Sequence, residues 1–71
     1  MVIVKGYTKQ VNSGRREFIS EDEYNKLMAE YIKTCDDNWI VDETENFCIT
    51  GFRFDKDRNV VRLGWAYYPQ F

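Results

Sequence analysis

The sequence predicts an α+β domain, a single helix packed on one face of a four- to five-stranded antiparallel sheet in the order ββαβββ. Three observations carry that prediction. Residues 19–35 combine a helix start signal, a helical apolar period and a stop signal. The remaining chain divides into runs rich in β-branched and aromatic residues, separated by turn-forming clusters. Five Tyr, five Phe and two Trp among 71 residues supply enough large side chains for one small core, with no surplus for a second, so residues 1–71 are read as one domain.

Taken in order, residues 2–9 are dominated by Val, Ile and Tyr and read as a first strand. Asn12-Ser13-Gly14 supplies a turn, and residues 15–19 return as a short second strand. The helix opens on Ser20, whose hydroxyl can cap the N–H three residues on while Glu23 reciprocates, and Ile19 and Tyr24 are spaced as a hydrophobic staple around that cap. Glu21, Asp22 and Glu23 sit at the positive end of the helix dipole, each contributing ~0.3 to 1 kcal/mol. Tyr24, Leu27, Met28, Tyr31, Ile32 and Cys35 form one apolar stripe, which is the sheet-facing side. The pair Asp22 and Lys26, with Glu30 and Lys33, marks the solvated side. Asp36-Asp37-Asn38 ends the helix.

After the helix, Trp39-Ile40-Val41 reads as a short strand, residues 42–46 as a polar turn and residues 47–54 as a long strand. Residues 55–59 form a turn, and residues 60–68 form the last strand, which Pro69 is expected to stop. A turn centred on Asp57-Arg58 fixes a register for this hairpin. One face gathers Cys48, Thr50, Phe52 and Phe54 with Val61, Leu63, Trp65 and Tyr67, and is the side under the helix. The other face sets Arg53 opposite Arg62, Gly51 opposite Gly64, Ile49 opposite Ala66 and Phe47 opposite Tyr68. Like charges directly opposite destabilise a strand pair, so an acid or a bound anion is expected beside Arg53 and Arg62.

Net charge is only −2, but it is segregated along the chain. Residues 1–16 hold Lys5, Lys9, Arg15 and Arg16 and no acid. Residues 17–46 hold ten acids against Lys26 and Lys33. Residues 47–71 hold Arg53, Lys56, Arg58 and Arg62 against Asp55 and Asp57. Neither a secretory signal after Met1 nor an apolar run long enough to span a membrane is visible, so the expected location is cytoplasmic and no membrane partner is expected. In that compartment Cys35 and Cys48 are expected as free thiols rather than a disulfide.

Residue types argue against catalysis. There is no histidine, hence no ordinary general base for neutral pH and no partner for a Ser or Cys nucleophile. Two cysteines do not make a structural zinc site, and none of the four glycines belongs to a phosphate-binding or dinucleotide-binding motif. Residues 55–59 imitate the opening of a calcium loop, but the position that needs Gly is Val60 and the position that needs Glu is Ala66. A glycosidase-like acid and base could be sought among Asp36, Asp37, Asp42 and Glu43, yet these fall in turns of a chain with little room for a deep cleft. No enzyme activity, metal or cofactor is expected.

Binding is therefore the expected task. The leading expectation is a protein-interaction domain, of the kind a phage or mobile element uses as an inhibitor, that docks an acidic surface on a basic, nucleic-acid-binding site of its partner. Its contact residues are Glu21, Asp22, Glu23, Asp36, Asp37, Asp42, Glu43 and Glu45. The alternative is a single-stranded nucleic-acid binder whose Lys5, Tyr7, Lys9, Arg15, Arg16, Arg53, Arg62 and Tyr68 contact phosphates and stack bases. Against it stands the negative net charge. Aromatic surface left over from the core, with Phe47, Tyr68 and Phe71 clustered around Gly51 and Gly64, would form a self-association patch and a homodimer.

Overall fold

The computed structural model describes residues 2–56 and 58–70. Six elements follow the expected order: β1 (Val2–Val11), β2 (Glu17–Ile19), α1 (Glu21–Thr34), β3 (Asp37–Glu43), β4 (Phe47–Phe54) and β5 (Asn59–Gln70). The strands form one antiparallel sheet in the order β2-β1-β5-β4-β3, so the first and last long strands lie side by side at its centre.

Local chemistry explains the ends of α1. The Ser20 hydroxyl accepts the Glu23 N–H at 3.1 Å, relieving one of the unpaired donors of the first turn. Cys35 closes the other end in extended conformation, its N–H donating to the Tyr31 carbonyl. Tyr24, Leu27, Met28, Tyr31 and Cys35 pack with Ile19 and Phe54 around Phe52, Val61 and Leu63, and Phe52 and Leu63 are fully buried. Tyr31 links helix to sheet, its ring lying 5.6 Å from Phe52 and 5.1 Å from Phe54. Ile32 departs from the expected stripe and is 56% exposed. At 100° per residue it falls on the flank of the stripe that Leu27, Tyr31 and Cys35 centre, beyond the reach of the sheet.

The β4 to β5 hairpin keeps its expected faces but not its register. Phe54 pairs with Asn59, Phe52 with Val61, Thr50 with Leu63, Gly51 with Arg62 and Arg53 with Val60, a slip of two residues. A two-residue slip preserves the side-chain alternation, so the buried face survives while every cross-strand partner changes. The cause lies in the turn. A two-residue hairpin turn needs positive φ at both central positions, which favours Asn and Gly. Here the loop takes four residues, with Arg58 at φ 55°; Asp57, the other centre of the expected turn, is outside the described residues.

Pro69 does not stop β5, which continues to Gln70 beside β1. The Tyr67 N–H donates toward β4, to the Asn46 carbonyl at 3.0 Å. Two residues on, the Pro69 nitrogen faces the same side, where β4 has already begun at Phe47 and, among the described residues, no strand remains to need its proton. β1 and β3 are longer than expected and β2 shorter, and β3 absorbs a bulge between Ile40 and Asp42. The β1 to β2 turn is held by Asn12 at φ 55°, whose side-chain oxygen accepts the Val60 N–H at 2.8 Å.

Candidate functional site

The helix covers only part of its face of the sheet. α1 leaves β2 at the row in which Tyr7, Trp65, Cys48 and Glu43 are neighbours on β1, β5, β4 and β3. Tyr24 packs on Tyr7 with ring centroids 4.5 Å apart and planes tilted by 41°, and from there the helix runs toward Phe52 and Phe54. On the other side of that row the sheet face stays open. Trp65 and Tyr67 meet edge to face at 5.3 Å, and Lys5 places its ammonium 4.5 Å from the Trp65 ring centre and 5.3 Å from that of Tyr7. A cation over exposed rings stabilises by about 0.5–1 kcal/mol, which holds Lys5 against the sheet. Burial, then the nearby Cys48 and Tyr7, pushes the Tyr24 hydroxyl above its ordinary pKa, so the ring stays neutral in this cluster.

Carboxylates stand on both sides of these rings. Glu21, Asp22 and Glu23 occupy the first turn of α1 beside the Tyr7 end of the row. Glu43, opposite Cys48, closes the far end, with Glu45 in the connection to β4, whereas Asp42, opposite Ile49, turns to the outer face. All six are exposed, and among the described residues none of them is in an ion pair.

Asp36 and Asp37 do not join them. They lie at the opposite end of β3, where the Asp36 carboxylate accepts the Asp55 N–H and Asp37 pairs with Arg53 at 3.9 Å. The expected eight-residue acidic surface is thus divided, because β3 carries its two ends to opposite ends of the sheet.

The basic set is divided as well. By strand alternation Lys5, Tyr7 and Lys9 lie on the helix face, whereas Arg53, Arg62 and Tyr68 lie on the outer face. Arg53 and Arg62 do not stand opposite each other, so the repulsion between them is absent, and the acid expected beside them is present for Arg53 as Asp37. Arg53 lies over the Trp39 ring at 5.5 Å as well as beside Asp37, and Arg62 donates to the Asn12 carbonyl at 3.3 Å. Arg15 and Arg16 are exposed between β1 and β2. An open hollow of ≈ 330 Å³ is bordered by Thr8, Arg16, Phe47, Ile49 and Ala66 of the outer face and also by Trp65 and Tyr67.

The expected aromatic patch is only partly present. Tyr68 pairs across from Val4, not Phe47, and its ring lies over Gly6 and 5.9 Å from Phe18. Trp39 covers Gly51. Phe71 is outside the described residues. Sequence reading missed the grouping of Lys5, Trp65 and Tyr67 with Tyr7 and Tyr24, although the two-residue spacings Lys5 to Tyr7 and Trp65 to Tyr67 already placed each pair on one face.

Both cysteines are free and half-buried. Among the described residues no group of three or more His, Cys, Asp or Glu side chains is placed to hold a metal ion, and no helix is long and apolar enough to cross a membrane. Comparison with protein-family models, curated proteins and solved structures finds no match to this chain.

Proposed function

We propose that the chain is a non-enzymatic interaction domain that docks on a basic protein surface through the acid-flanked aromatic cluster at the start of α1. The observation that carries this reading is the set of five exposed carboxylates, Glu21, Asp22, Glu23, Glu43 and Glu45, without an internal cation on any of them among the described residues. Fixed charges that the fold leaves unmatched raise a negative potential, which accelerates encounter with a positive surface and sets the orientation of docking. Between them Trp65 and Tyr67 supply the apolar anchor that charges alone lack, and Tyr67 is exposed. A partner whose basic surface serves nucleic acid would lose that ligand in competition.

Single-stranded nucleic-acid binding is the reading this one displaces. It needs cations and aromatics on one surface, and the basic residues are split between two faces, with Arg53 and Arg62 already engaged. Gel shifts with labelled single-stranded DNA and RNA at low and moderate salt are expected to show no complex. A salt-sensitive shift would replace the docking reading with nucleic-acid binding.

A further inference from the structure

Among the described residues the edges of the sheet are guarded everywhere but in one place. β3 is an outer edge, but it carries Asp37, Asp42 and Glu43 and a bulge. β2, the other outer edge, is three residues long and includes Glu17. The exposed flank of β5 beyond β4 carries Pro69. Charges, bulges, short length and proline are the devices that keep an unpaired edge from pairing with another chain.

β1 has none of these where it outruns β2. Its pairing with β5 is unbroken from Val2 to Val11, and the Asn12 N–H just past it donates to the Val60 carbonyl. The alternation of an antiparallel ladder then turns the N–H and C=O of Val4 and Gly6 toward β5, and those of Ile3 and Lys5 to the other side. From Tyr7 onward that other side is filled by β2, which begins its pairing at Ile19. Among the described residues no strand lies on that side of Ile3 and Lys5. The side chains there are β-branched and open, with Val2 62% and Ile3 58% exposed. Lys5, whose charge could guard the edge, is instead drawn over Trp65.

We propose that this free edge of β1 pairs antiparallel with the same edge of a second copy, about a two-fold axis near Ile3 and Val4 and perpendicular to the sheet. The unpaired backbone groups call for a β-strand. The uncharged run Val2-Ile3-Val4 is self-complementary, so two copies meet without like-charge repulsion. The two-fold consumes the edge in both copies, and since the remaining edges are guarded, assembly closes at a dimer rather than growing into a fibre. Two five-stranded sheets become one, with both helices on the same side, and the acid-flanked cluster is presented twice.

Sedimentation velocity and light scattering across the micromolar range test this directly. The expected mass is twice the 8.6 kDa of the chain. Ile3→Pro removes a donor that faces only the free edge and leaves the bonds to β5 intact, so it should yield a folded monomer. Ile3→Lys should do the same by charge. In the unaltered chain the Ile3 and Lys5 amides should exchange with solvent as slowly as that of Val4. A monomer at every concentration, a dimer that survives both substitutions, or Ile3 and Lys5 amides that exchange freely within a dimer would each overturn the proposal.

Discussion

Arg58 occupies a backbone conformation that its side chain does not favour. With φ 55° it sits in the left-handed region, which costs an L-residue about 1–2 kcal/mol relative to helical backbone. Arg58→Gly removes that penalty but gives the unfolded chain more conformational entropy to lose on folding, so a net gain of ~0.5–1 kcal/mol is expected by urea denaturation. Tyr24 makes a pH-dependent contribution. Its hydroxyl pKa is raised in the folded chain, first by burial and then by Cys48 and Tyr7. The unfolded chain therefore loses this proton at a lower pH than the folded one. The stability it confers is whole below about pH 10 and is lost as pH rises through the folded value. Alkaline titration of the unfolding free energy should show that fall, and Tyr24→Phe should flatten it. At this scale the sequence was least informative about partners. It placed Arg53 and Arg62 on one face, but nothing local could reveal that Asp37 and Asn12, distant along the chain, would engage them.

Among the elements, α1 was the most legible, because Ser20, its first-turn acids and its apolar period all act within a few residues of one another. The faces of β4 and β5 were legible for the same reason, since alternation is local. Register was not. It depends on turn geometry at residues 55–58 and on close approach between strands, neither of which composition reports. Gly64 shows that approach: a methyl group added there would stand 2.6 Å from the Cys48 carbonyl oxygen and 3.1 Å from Ile49. Since the nearest atom belongs to backbone, the strands would have to separate. Gly64→Ala should cost about 1–3 kcal/mol in chemical denaturation. Pro69 teaches a related lesson. Its residue type predicts a terminator, yet it is tolerated because only the flank lacking a neighbour strand among the described residues meets its nitrogen.

For the molecule as a whole, topology decides which charges act together. Segregation of charge along the chain was plain in the sequence, but the sheet order sends the two ends of β3 to opposite ends of the sheet and the basic strands to different faces. What remains together is Glu21, Asp22, Glu23, Glu43 and Glu45 around Tyr7, Trp65 and Tyr67, while Asp42, opposite Ile49, falls on the outer face. Half of the candidate site was therefore legible as charge, and its aromatic centre became visible only when β1 and β5 were found side by side. Edge pairing of two copies would double that surface without adding contacts to it, so a partner with two basic sites would gain by multivalency. The most direct measurement is retention of a partner from the source cell's extract on three immobilised chains: the unaltered chain, one with those five acids of the cluster changed to Lys, and one with Phe18→Ala on the outer face. Docking through the acid-flanked cluster predicts a salt-sensitive partner held by the first and third chains and lost, by at least about a hundredfold or ~3 kcal/mol, from the second. Equal retention on all three would contradict it.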